Sequence, residues 1–293
     1  MPGCAIIFHG ELASVPRGRS PLRRFLRNRA AAVGAVLIAA VTLSAVLAPM
    51  IARTNPLSQN LGATFQGPTS RHWFGTDDLG RDLFSRVVYG GRVTLPVALI
   101  GVLAALVAGV PLGLFAGYVG GVSDSVIMRL TDVLLAFPST LLAIAITSAL
   151  GVALTTVSIA VAVFSLPVYV RLVRAEILRL RQREFVMAAK CIGATERLIV
   201  FRHLLPNALG PIIIQSSLNS ALAILTVSAL SFLGLGAQPP TPEWGVMLAD
   251  GRAYMRLAPH IVVFPGLAIM ITILGFNLLG DGLRDAYDPR SAR

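Results

Sequence analysis

Residues 183–211 read R-E-F-V-M-A-A-K-C-I-G-A-T-E-R-L-I-V-F-R-H-L-L-P-N-A-L-G-P, the longest strongly charged segment between two apolar blocks of this chain. Because the remaining chain is rich in apolar runs of membrane-spanning length, the segment is predicted to lie outside the bilayer. Helix formers fill residues 183–191, and Gly193 can take the left-handed conformation that closes a helix. The first half of the segment is therefore predicted to be a short helix ending at a glycine.

The second half of the segment carries the signals of another helix. Thr195 can cap its start with a side-chain oxygen, and Glu196 suits the positive end of the helix dipole. Pro206 is expected to end this helix, because proline lacks the N–H that continues the hydrogen-bond ladder. Two short helices joined at a glycine, between two membrane spans, indicate a docking element.

The spacing of small residues in this segment resembles the E-A-A loop of permease subunits in ATP-binding-cassette importers. The resemblance rests on Ala188 and Ala189, on Gly193, and on Leu205 with Pro206 about twelve residues further on. In that family the loop is cytoplasmic and seats in a cleft of the ATPase subunit. The resemblance therefore implies that residues 174–210 form a cytoplasmic coupling loop.

One position departs from the motif, because Met187 stands where the family has its glutamate. Glu184, one turn earlier, matches the Glu-(Phe/Tyr)-Val of the peptide-permease branch. The coupling residues that the resemblance implies are Glu184, Met187, Ala188, Ala189, Gly193, Glu196, Leu205 and Pro206. The alternative is a basic amphipathic segment lying on anionic lipid, although lipid binding needs neither a glycine at a fixed offset nor a Leu-Pro pair.

The composition is that of an integral membrane protein. Of 293 residues, 55% are hydrophobic and 13% are charged, far from the proportions of soluble domains. The net charge of +11 comes from basic residues that flank apolar runs instead of forming one stripe with aromatic residues. Membrane orientation explains these residues, so we expect membrane lipid and no nucleic acid as a partner. Cys4 and Cys191 are not expected to form a structural disulfide.

Uncharged runs predict six membrane spans with both ends in the cytoplasm. Arginines before the first span, at residues 30–52, predict a cytoplasmic N-terminal segment, residues 1–29. The second span ends near Tyr118, and residues 122–132 are expected to be a cytoplasmic turn. The remaining spans and loops are expected as follows: two spans within residues 133–170 with a turn at 148–156 and bends at Pro138 and Pro167, spans at 211–232 and 260–279, external loops at 53–92 and 234–258, and a cytoplasmic tail at 281–293.

The first external loop contains two i,i+4 charge pairs, Asp77–Arg81 and Asp82–Arg86. With the apolar residues around them they predict a short ion-paired helix at the membrane interface. The string also resembles the Gly-Thr-Asp-x-Leu-Gly-Arg-Asp segment of one permease of dipeptide and oligopeptide importers. That motif occupies Gly75, Thr76, Asp77, Gly80, Arg81 and Asp82. Residues 234–245, in which Trp244 suits the outer interface, and residues 280–290 resemble the same branch.

The sequence holds no catalytic signature. The chain has a single lysine, Lys190, which is followed by Cys191, so it cannot contain the phosphate-binding loop of an ATPase. Its histidines are dispersed, and the tail carboxylates Asp281, Asp285 and Asp288 are expected to pair with Arg284 and Arg290 instead of binding a metal. We therefore expect no enzyme activity, no metal and no cofactor in this chain, with ATP and Mg²⁺ bound by partner subunits.

Polar residues inside the spans are the candidates for a substrate path. Gln215 and Asn219 lie at i,i+4 on the fifth span, and the alternative is that they hydrogen-bond neighbouring helices. No Asp, Glu, Lys or Arg lies near the centre of a predicted span, which argues against a proton- or ion-coupled carrier.

Taken together, the chain is expected to be all-helical, with six transmembrane helices of the type I importer permease kind in residues 30–280. The resemblance implies a bacterial inner-membrane subunit that forms half of a pore for dipeptides or oligopeptides. It also implies a second permease subunit, two ATPase subunits and an external substrate-binding protein. Nickel, glutathione or another small solute remains open as the cargo, and an ATP-independent channel or carrier is the alternative from a different class.

Overall fold

The structure, a computed structural model, describes residues 28–287, and these form helices joined by loops and turns. The expected N-terminal segment up to residue 27, the last six residues of the tail, and with them Asp288 and Arg290, lie outside the described residues. The α-helices are α1 (Arg29–Val46), α2 (Ala48–Ile51), α3 (Leu83–Val119), α4 (Gly121–Leu135), α5 (Ser139–Leu150), α6 (Leu154–Arg181), α7 (Glu184–Cys191), α8 (Glu196–Leu198), α9 (Leu205–Phe232), α10 (Trp244–Gly251) and α11 (His260–Tyr287). The expectation of an all-helical chain is confirmed.

Five helical stretches in the described residues are long and apolar enough to cross a membrane: α1, α3, α6, α11 and the continuous stretch Glu196–Phe232. Helices α4 and α5 pass the same test only as a pair, which is bent by 88°. With 12 residues, α5 reaches about 18 Å, short of the roughly 30 Å of a hydrocarbon core. The predicted third span is therefore a broken one, and the count is five spans, or six with the bent pair.

The break between α4 and α5 has a local cause. Pro138 stands at the N-cap of α5, and a proline pushes the residue before it out of the helical region. The expected bend at Pro138 is thus a complete interruption, whereas α6 continues through Pro167 as one helix. The expected turn at residues 122–132 is wrong, because these residues belong to α4.

Helices α3 and α6 pack side by side and run in the same direction. A Cβ built on successive small positions of α3 would come within 3.0 Å of successive residues of α6, and the contacts advance together along both helices. The facing pairs are Gly101 with Val161, Gly109 with Tyr169, Gly113 with Val173 and Gly117 with Ile177. Small residues let two helix backbones approach closely, which is the usual basis of helix association in lipid.

Helices α1 and α11 pack in opposite directions, with Gly34 against Leu279 and Gly282 against Ala31. The Asn28 side chain, just before α1, donates a 2.8 Å hydrogen bond to Asp285 near the end of α11. The two ends of the described chain therefore lie together on one side of the molecule.

The other side of the molecule is a cap built from residues 54–82 and 234–258. The expected short interface helix is wrong: residues 76–82 form a loop, and Leu83 begins the 37-residue helix α3. Trp244 does not lie at an interface, since only 2% of it is exposed and its Nε1 donates to the carbonyl of Val87 at 2.8 Å. Its indole fills the space beside Gly90, where a Cβ would clash with the ring.

Candidate functional site

The segment between α6 and α9 forms the two predicted helices around a glycine. Helix α7 ends in a Schellman motif, in which the N–H of Ala194 donates to the carbonyl of Ala189 and that of Gly193 donates to Lys190, each at 3.0 Å. Gly193 has a φ of +80°, which a residue with a Cβ adopts only with strain. The prediction of a glycine-closed helix is confirmed.

The second helix begins as predicted but does not end at Pro206. The Thr195 hydroxyl oxygen accepts a hydrogen bond from the N–H of Leu198, so the cap is confirmed. A π-helical segment at Ile199–Leu204 then joins α8 to α9, and Pro206 lies in the first turn of α9. A wider π turn accommodates a proline that can neither donate a hydrogen bond nor tolerate the carbonyl of the α ladder. The expectation that Pro206 terminates the helix is therefore wrong.

One face of this loop is packed against the ends of the long helices. Val186 and Ala189 of α7 are buried with Ile177, Ile199 and Leu204 in an apolar cluster distinct from the main core. This burial fixes the position of α7 relative to α6 and to the π segment. The loop is therefore a folded element of the molecule and not a free connection.

The opposite face of the loop is open. The paired alanines point different ways, since Ala189 is buried and Ala188 is exposed. Met187, in the place of the motif's glutamate, is 52% exposed. Of the other implied coupling residues, Glu184, Gly193, Glu196 and Pro206 are exposed and Leu205 is half-buried. The structure thus brings these residues to one side of the molecule, and their contact with an ATPase remains a prediction.

The end of α3 is fastened to the start of this loop. Arg181 Nη1, at the end of α6, donates to the carbonyl of Tyr118 at 2.9 Å. Arg174, about two turns earlier, holds Asp124 of α4 at 2.6 Å. The loop, the ends of α3 and α6 and the beginning of α4 therefore share one side, the side opposite the cap.

The candidate pore residues lie in different environments. Asn219 of α9 is only 3% exposed and its Nδ2 has no hydrogen-bond partner among the described residues, whereas Gln215 is half-buried. One turn from Asn219, Ser216 lies 3.1 Å from the Tyr169 hydroxyl of α6. Tyr169 was missed by sequence reasoning, although it carries the signal used for Gln215, a polar group inside a span. Tyr169 and Ser216 form a polar contact between α6 and α9, and pore lining by Gln215 and Asn219 remains a prediction.

The external motif is buried and structural. The Asp77 carboxylate accepts from Arg81 Nε at 2.6 Å and lies 3.4 Å from Arg86 Nε. Asp82 does not pair with Arg86 as expected, because it caps α3 through the N–H of Ser85 and contacts His72 Nδ1 at 2.8 Å. The Asp77–Arg81 ion pair is confirmed, but both residues lie in a loop and not on the surface of a helix.

The remaining motif residues hold the cap together. The carbonyl of Thr76 lies 3.1 Å from His260 Nε2 at the start of α11. Gly80 has a φ of +68°, and a Cβ there would meet the carbonyl oxygen of Asn60. Burial raises the pKa of the neighbouring Asp250 carboxyl, while the charges of Arg86 and Arg81 oppose that shift. The motif therefore ties the first external loop to α3 and α11.

An all-helical, multi-pass chain with a folded loop on one side and a closed cap on the other has the form of a membrane permease, and the comparisons agree. Residues 109–293 match the family described as binding-protein-dependent transport system inner membrane component. Residues 18–68 match the N-terminal TM domain of oligopeptide transport permease C. The chain belongs to this family of binding-protein-dependent permeases. It is a transport component and not an enzyme, and it works with ATPase and substrate-binding partners.

Curated relatives match almost the whole chain. The dipeptide transport system permease protein DppC of Alkalihalophilus pseudofirmus is 48% identical over 280 residues, which cover 96% of this chain and 92% of that protein. The glutathione transport system permease protein GsiD of Pectobacterium atrosepticum is 46% identical over 92% of this chain and 89% of its own length. The Escherichia coli GsiD is 47% identical with the same coverage.

Two solved structures share the fold. They are inward-facing forms of the MetNI methionine ABC transporter, with TM-scores of 0.54 and 0.56 and sequence identities of 16% and 17%. Each match covers 69% of this chain and nearly all of the other chain. The fold is thus that of an ABC importer permease.

Proposed function

We propose that this chain is a permease subunit that imports dipeptides or oligopeptides. The observation that carries the proposal is the 48% identity to a dipeptide transport permease over 96% of the chain. The match with the N-terminal domain of oligopeptide permeases over residues 18–68 supports the same branch.

Glutathione import is the second candidate. The two GsiD relatives are 46% and 47% identical to this chain, nearly as similar as the dipeptide permease. Glutathione is itself a small peptide, so the two cargoes have the same backbone chemistry. Uptake by the reconstituted importer separates them.

The full importer contains a second permease subunit, two ATPase subunits that bind ATP and Mg²⁺, and one external binding protein. This chain supplies half of the pore in the bacterial inner membrane, and Gln215 and Asn219 contribute to its lining. Both termini and the coupling loop face the cytoplasm. The contact between Asn28 and Asp285, and that between Arg181 and Tyr118, support a shared side for these parts, because they lie at the helix ends opposite the cap.

Transport requires no bond-making by this chain. ATP-driven closure of the two ATPase subunits moves the loop that carries Ala188 and Gly193, and the pore switches between its inward- and outward-facing states. The ATPase and the binding protein change the populations of these two states by binding one better than the other. The chain contributes the bistable helices and the surface on which the ATPase acts.

The test is reconstitution of the chain with its co-purifying subunits in lipid vesicles, followed by ATP hydrolysis and uptake assays. We expect a mixed dipeptide pool, presented with the binding protein, to stimulate hydrolysis and to accumulate inside the vesicles. Stimulation by glutathione and not by dipeptides would select the second candidate. A chain that purifies without any ATPase would overturn the importer assignment.

A further inference from the structure

A pocket lies between the cap and the helix ends that meet it. Its volume is about 330 Å³, within the range of roughly 300–1,000 Å³ that is typical of small-molecule sites. Helices α1, α3, α10 and α11 all contribute to its wall, which includes Val41, Ser44, Val87, Trp244, Phe264 and Ala268. We call this space the apolar pocket.

The wall of the apolar pocket offers no free polar group. The Ser44 hydroxyl donates to the carbonyl of Val41 at 2.7 Å, and Trp244 Nε1 donates to the carbonyl of Val87 at 2.8 Å. The other lining side chains are hydrocarbon. A water molecule needs about two to four polar partners, so a wall of this kind selects an apolar occupant.

Aromatic contacts form one part of this wall. The ring of Phe74, in the first external loop, stacks on Phe264 of α11 with 3.9 Å between ring centroids. The same ring meets Phe84 of α3 edge-on at 5.1 Å. These pairs have preferred geometries and join three segments of the chain, so the pocket is preformed.

The apolar pocket opens among residues that suit a hydrocarbon environment. Ile51 and Leu267, which line the pocket, are each 38% exposed. Beside them, Met50 of α2 is 82% exposed and Val263 of α11 is 49% exposed. Helices α1, α3 and α11 are long and apolar enough to cross a membrane. The medium at the opening is therefore the acyl chains of the bilayer.

A cation lies at the cap end of the apolar pocket. Arg53, two residues beyond Ile51, lies 3.8 Å from the centre of the Trp73 ring, and that ring meets Phe84 of the pocket wall at 5.0 Å. Arg53 is exposed and donates to the carbonyl of Ser70 at 2.7 Å. No carboxylate within residues 28–287 forms an ion pair with it. An arginine in this position suits a phosphate group.

We propose that the apolar pocket is a phospholipid site, in which one acyl chain fills the pocket and the headgroup phosphate binds Arg53. The order of the features matches a lipid in the leaflet that borders the cap, because the cation lies outside and the hydrocarbon wall lies further in. Ser44 and Ala268 are the small residues that leave room for the chain. The inference requires a membrane and does not depend on the cargo.

Trp244 can report whether an acyl chain enters the pocket. The chain has two tryptophans, and Trp73→Phe keeps a ring beneath Arg53 while leaving Trp244, only 2% exposed, as the single one. The full chain is placed in phosphatidylglycerol nanodiscs whose acyl chains carry bromine, a short-range quencher, and its emission is compared with that in unbrominated nanodiscs. Ala268→Phe fills the pocket, and Ala32→Phe makes the same change on the exposed surface of α1.

We expect brominated acyl chains to quench Trp244 in the Trp73→Phe chain, although this side chain is buried. Ala268→Phe is expected to reduce the quenching by about half or more, because the phenyl ring takes the space of the acyl chain. Ala32→Phe is expected to leave the quenching unchanged. An unquenched Trp244, or equal quenching in the Ala268→Phe and Ala32→Phe chains, would overturn the inference.

The headgroup contact is tested on the importer purified in detergent with its co-purifying subunits. Native mass spectrometry follows the binding of added phosphatidylglycerol. We expect Arg53→Gln to weaken this binding by about tenfold, because the phosphate loses a charge-assisted hydrogen bond. Arg256→Gln removes another exposed cation of the cap and is expected to stay within about twofold of wild type. Equal binding by the two variants would overturn the contact with Arg53.

The same measurement separates a lipid from an apolar segment of the second permease subunit as the occupant. A phospholipid that binds the complete importer and is lost in its Ala268→Phe variant would support the proposal. A phospholipid that binds the isolated chain but not the complete importer would show that the other permease subunit covers the pocket, and would overturn the inference.

Discussion

Gly193 shows how one residue sets the geometry of the segment that joins α6 to α9, residues 182–204, which we call the docking loop. Its φ of +80° closes α7 and redirects the chain into α8, while a Cβ at this position would meet no atom within 4 Å. The position is therefore restricted by backbone conformation and not by space. A residue with a branched side chain pays about 1–2 kcal/mol to adopt it.

The first prediction concerns this residue. Gly193→Val is expected to uncouple ATP hydrolysis from uptake, because the strained turn displaces α7 relative to α8. Gly193→Asn is the matched control, since asparagine tolerates the left-handed region, and it is expected to keep most of the uptake. The measurement is transported substrate per ATP hydrolysed by the reconstituted importer. Normal coupling in an assembled Gly193→Val importer would contradict the prediction.

Glu243 is a buried carboxyl that links the cap to α3. It accepts hydrogen bonds from the Thr94 hydroxyl at 2.8 Å and from the N–H of Val246 at 3.0 Å. Burial raises its pKa above the ordinary value in spite of these bonds. Because the folded state disfavours the ionised form, the stability from this group is fully present below the unfolded pKa of about 4.3 and is lost as pH rises through the raised folded value.

The second prediction follows from this linkage. Glu243→Gln cannot ionise, so we expect a smaller fall in the apparent melting temperature between pH 5 and pH 8 than in the wild-type chain. Glu243→Ala removes both hydrogen bonds and is expected to destabilise the chain by about 1–2 kcal/mol at both pH values. Thermal unfolding in detergent measures all three proteins. If the melting temperature of Glu243→Gln fell as much with pH as that of the wild-type chain, the pH dependence would belong to another group.

At the scale of single residues, helix caps and turns could be predicted from the sequence, whereas contacts between residues far apart in the chain could not. The cap of Thr195 and the turn at Gly193 depend on neighbours within a few positions, so the pattern of residue types identified both. The burial of Trp244 depends on Gly90 and Val87, more than 150 positions away. No local signal separates a tryptophan at a membrane interface from one inserted between helices.

Among the elements, the parallel pair of α3 and α6 depends on small residues along the length of its contact. A Cβ on Gly113 would lie 2.6 Å from the carbonyl oxygen of Val170 and 2.9 Å from the Cβ of Val173. Because one of these atoms belongs to backbone, the contact cannot relax by a rotamer change. The two helices must separate to admit even one methyl group.

The third prediction tests this contact. Gly113→Ala is expected to destabilise the chain by about 1–3 kcal/mol, because it overpacks the helix pair. Gly266→Ala makes the same change in α11, where the nearest heavy atom to the new Cβ is 3.9 Å away, and it is expected to be neutral or slightly stabilising. Melting of the two variants in detergent gives the comparison. Equal stability of the Gly113→Ala and Gly266→Ala variants would show that α3 and α6 can move apart to admit a methyl group at no cost.

The sequence was a better guide to where apolar elements lie than to where they break. The runs of uncharged residues located α1, α3, α6 and α11, since length and hydropathy suffice for a span. Two prolines differ in their effect: Pro138 separates α4 from α5, whereas Pro206 follows a π segment and the helix continues through it. Whether a proline breaks a helix depends on the packing that its neighbours can gain, which a single sequence does not display.

At the scale of the whole molecule, the cap and the docking loop lie on opposite sides. Leu61 is exposed within the first external loop, and Val122 is exposed beyond the end of α3, beside the docking loop. Helix α3 and its partner α6 span the distance between them. The proposed orientation therefore places these two positions in different compartments.

The fourth prediction checks that orientation. In a chain without Cys4 and Cys191, a cysteine from Leu61→Cys is expected to react with an impermeant maleimide added to intact spheroplasts. A cysteine from Val122→Cys is expected to react only in inverted vesicles. Labelling of both positions from the same side would contradict the proposed topology.

The family and its architecture could be predicted from this sequence, whereas the assembly of its polar groups could not. Charged blocks and motif spacing indicated a permease with a docking loop, because both are linear properties of the chain. The joining of Glu243 to Thr94, and of Tyr169 to Ser216, requires segments that are distant in sequence to meet. Only the packed structure brings these groups together.

The absence of a joint between α8 and α9 gives the docking loop a mechanical property. From Glu196 to Phe232 the chain is helical without interruption, 37 residues or about 55 Å. Because no loop separates Glu196 from Phe232, we expect a displacement of Glu196 to be carried along this helix towards Phe232, beside the cap.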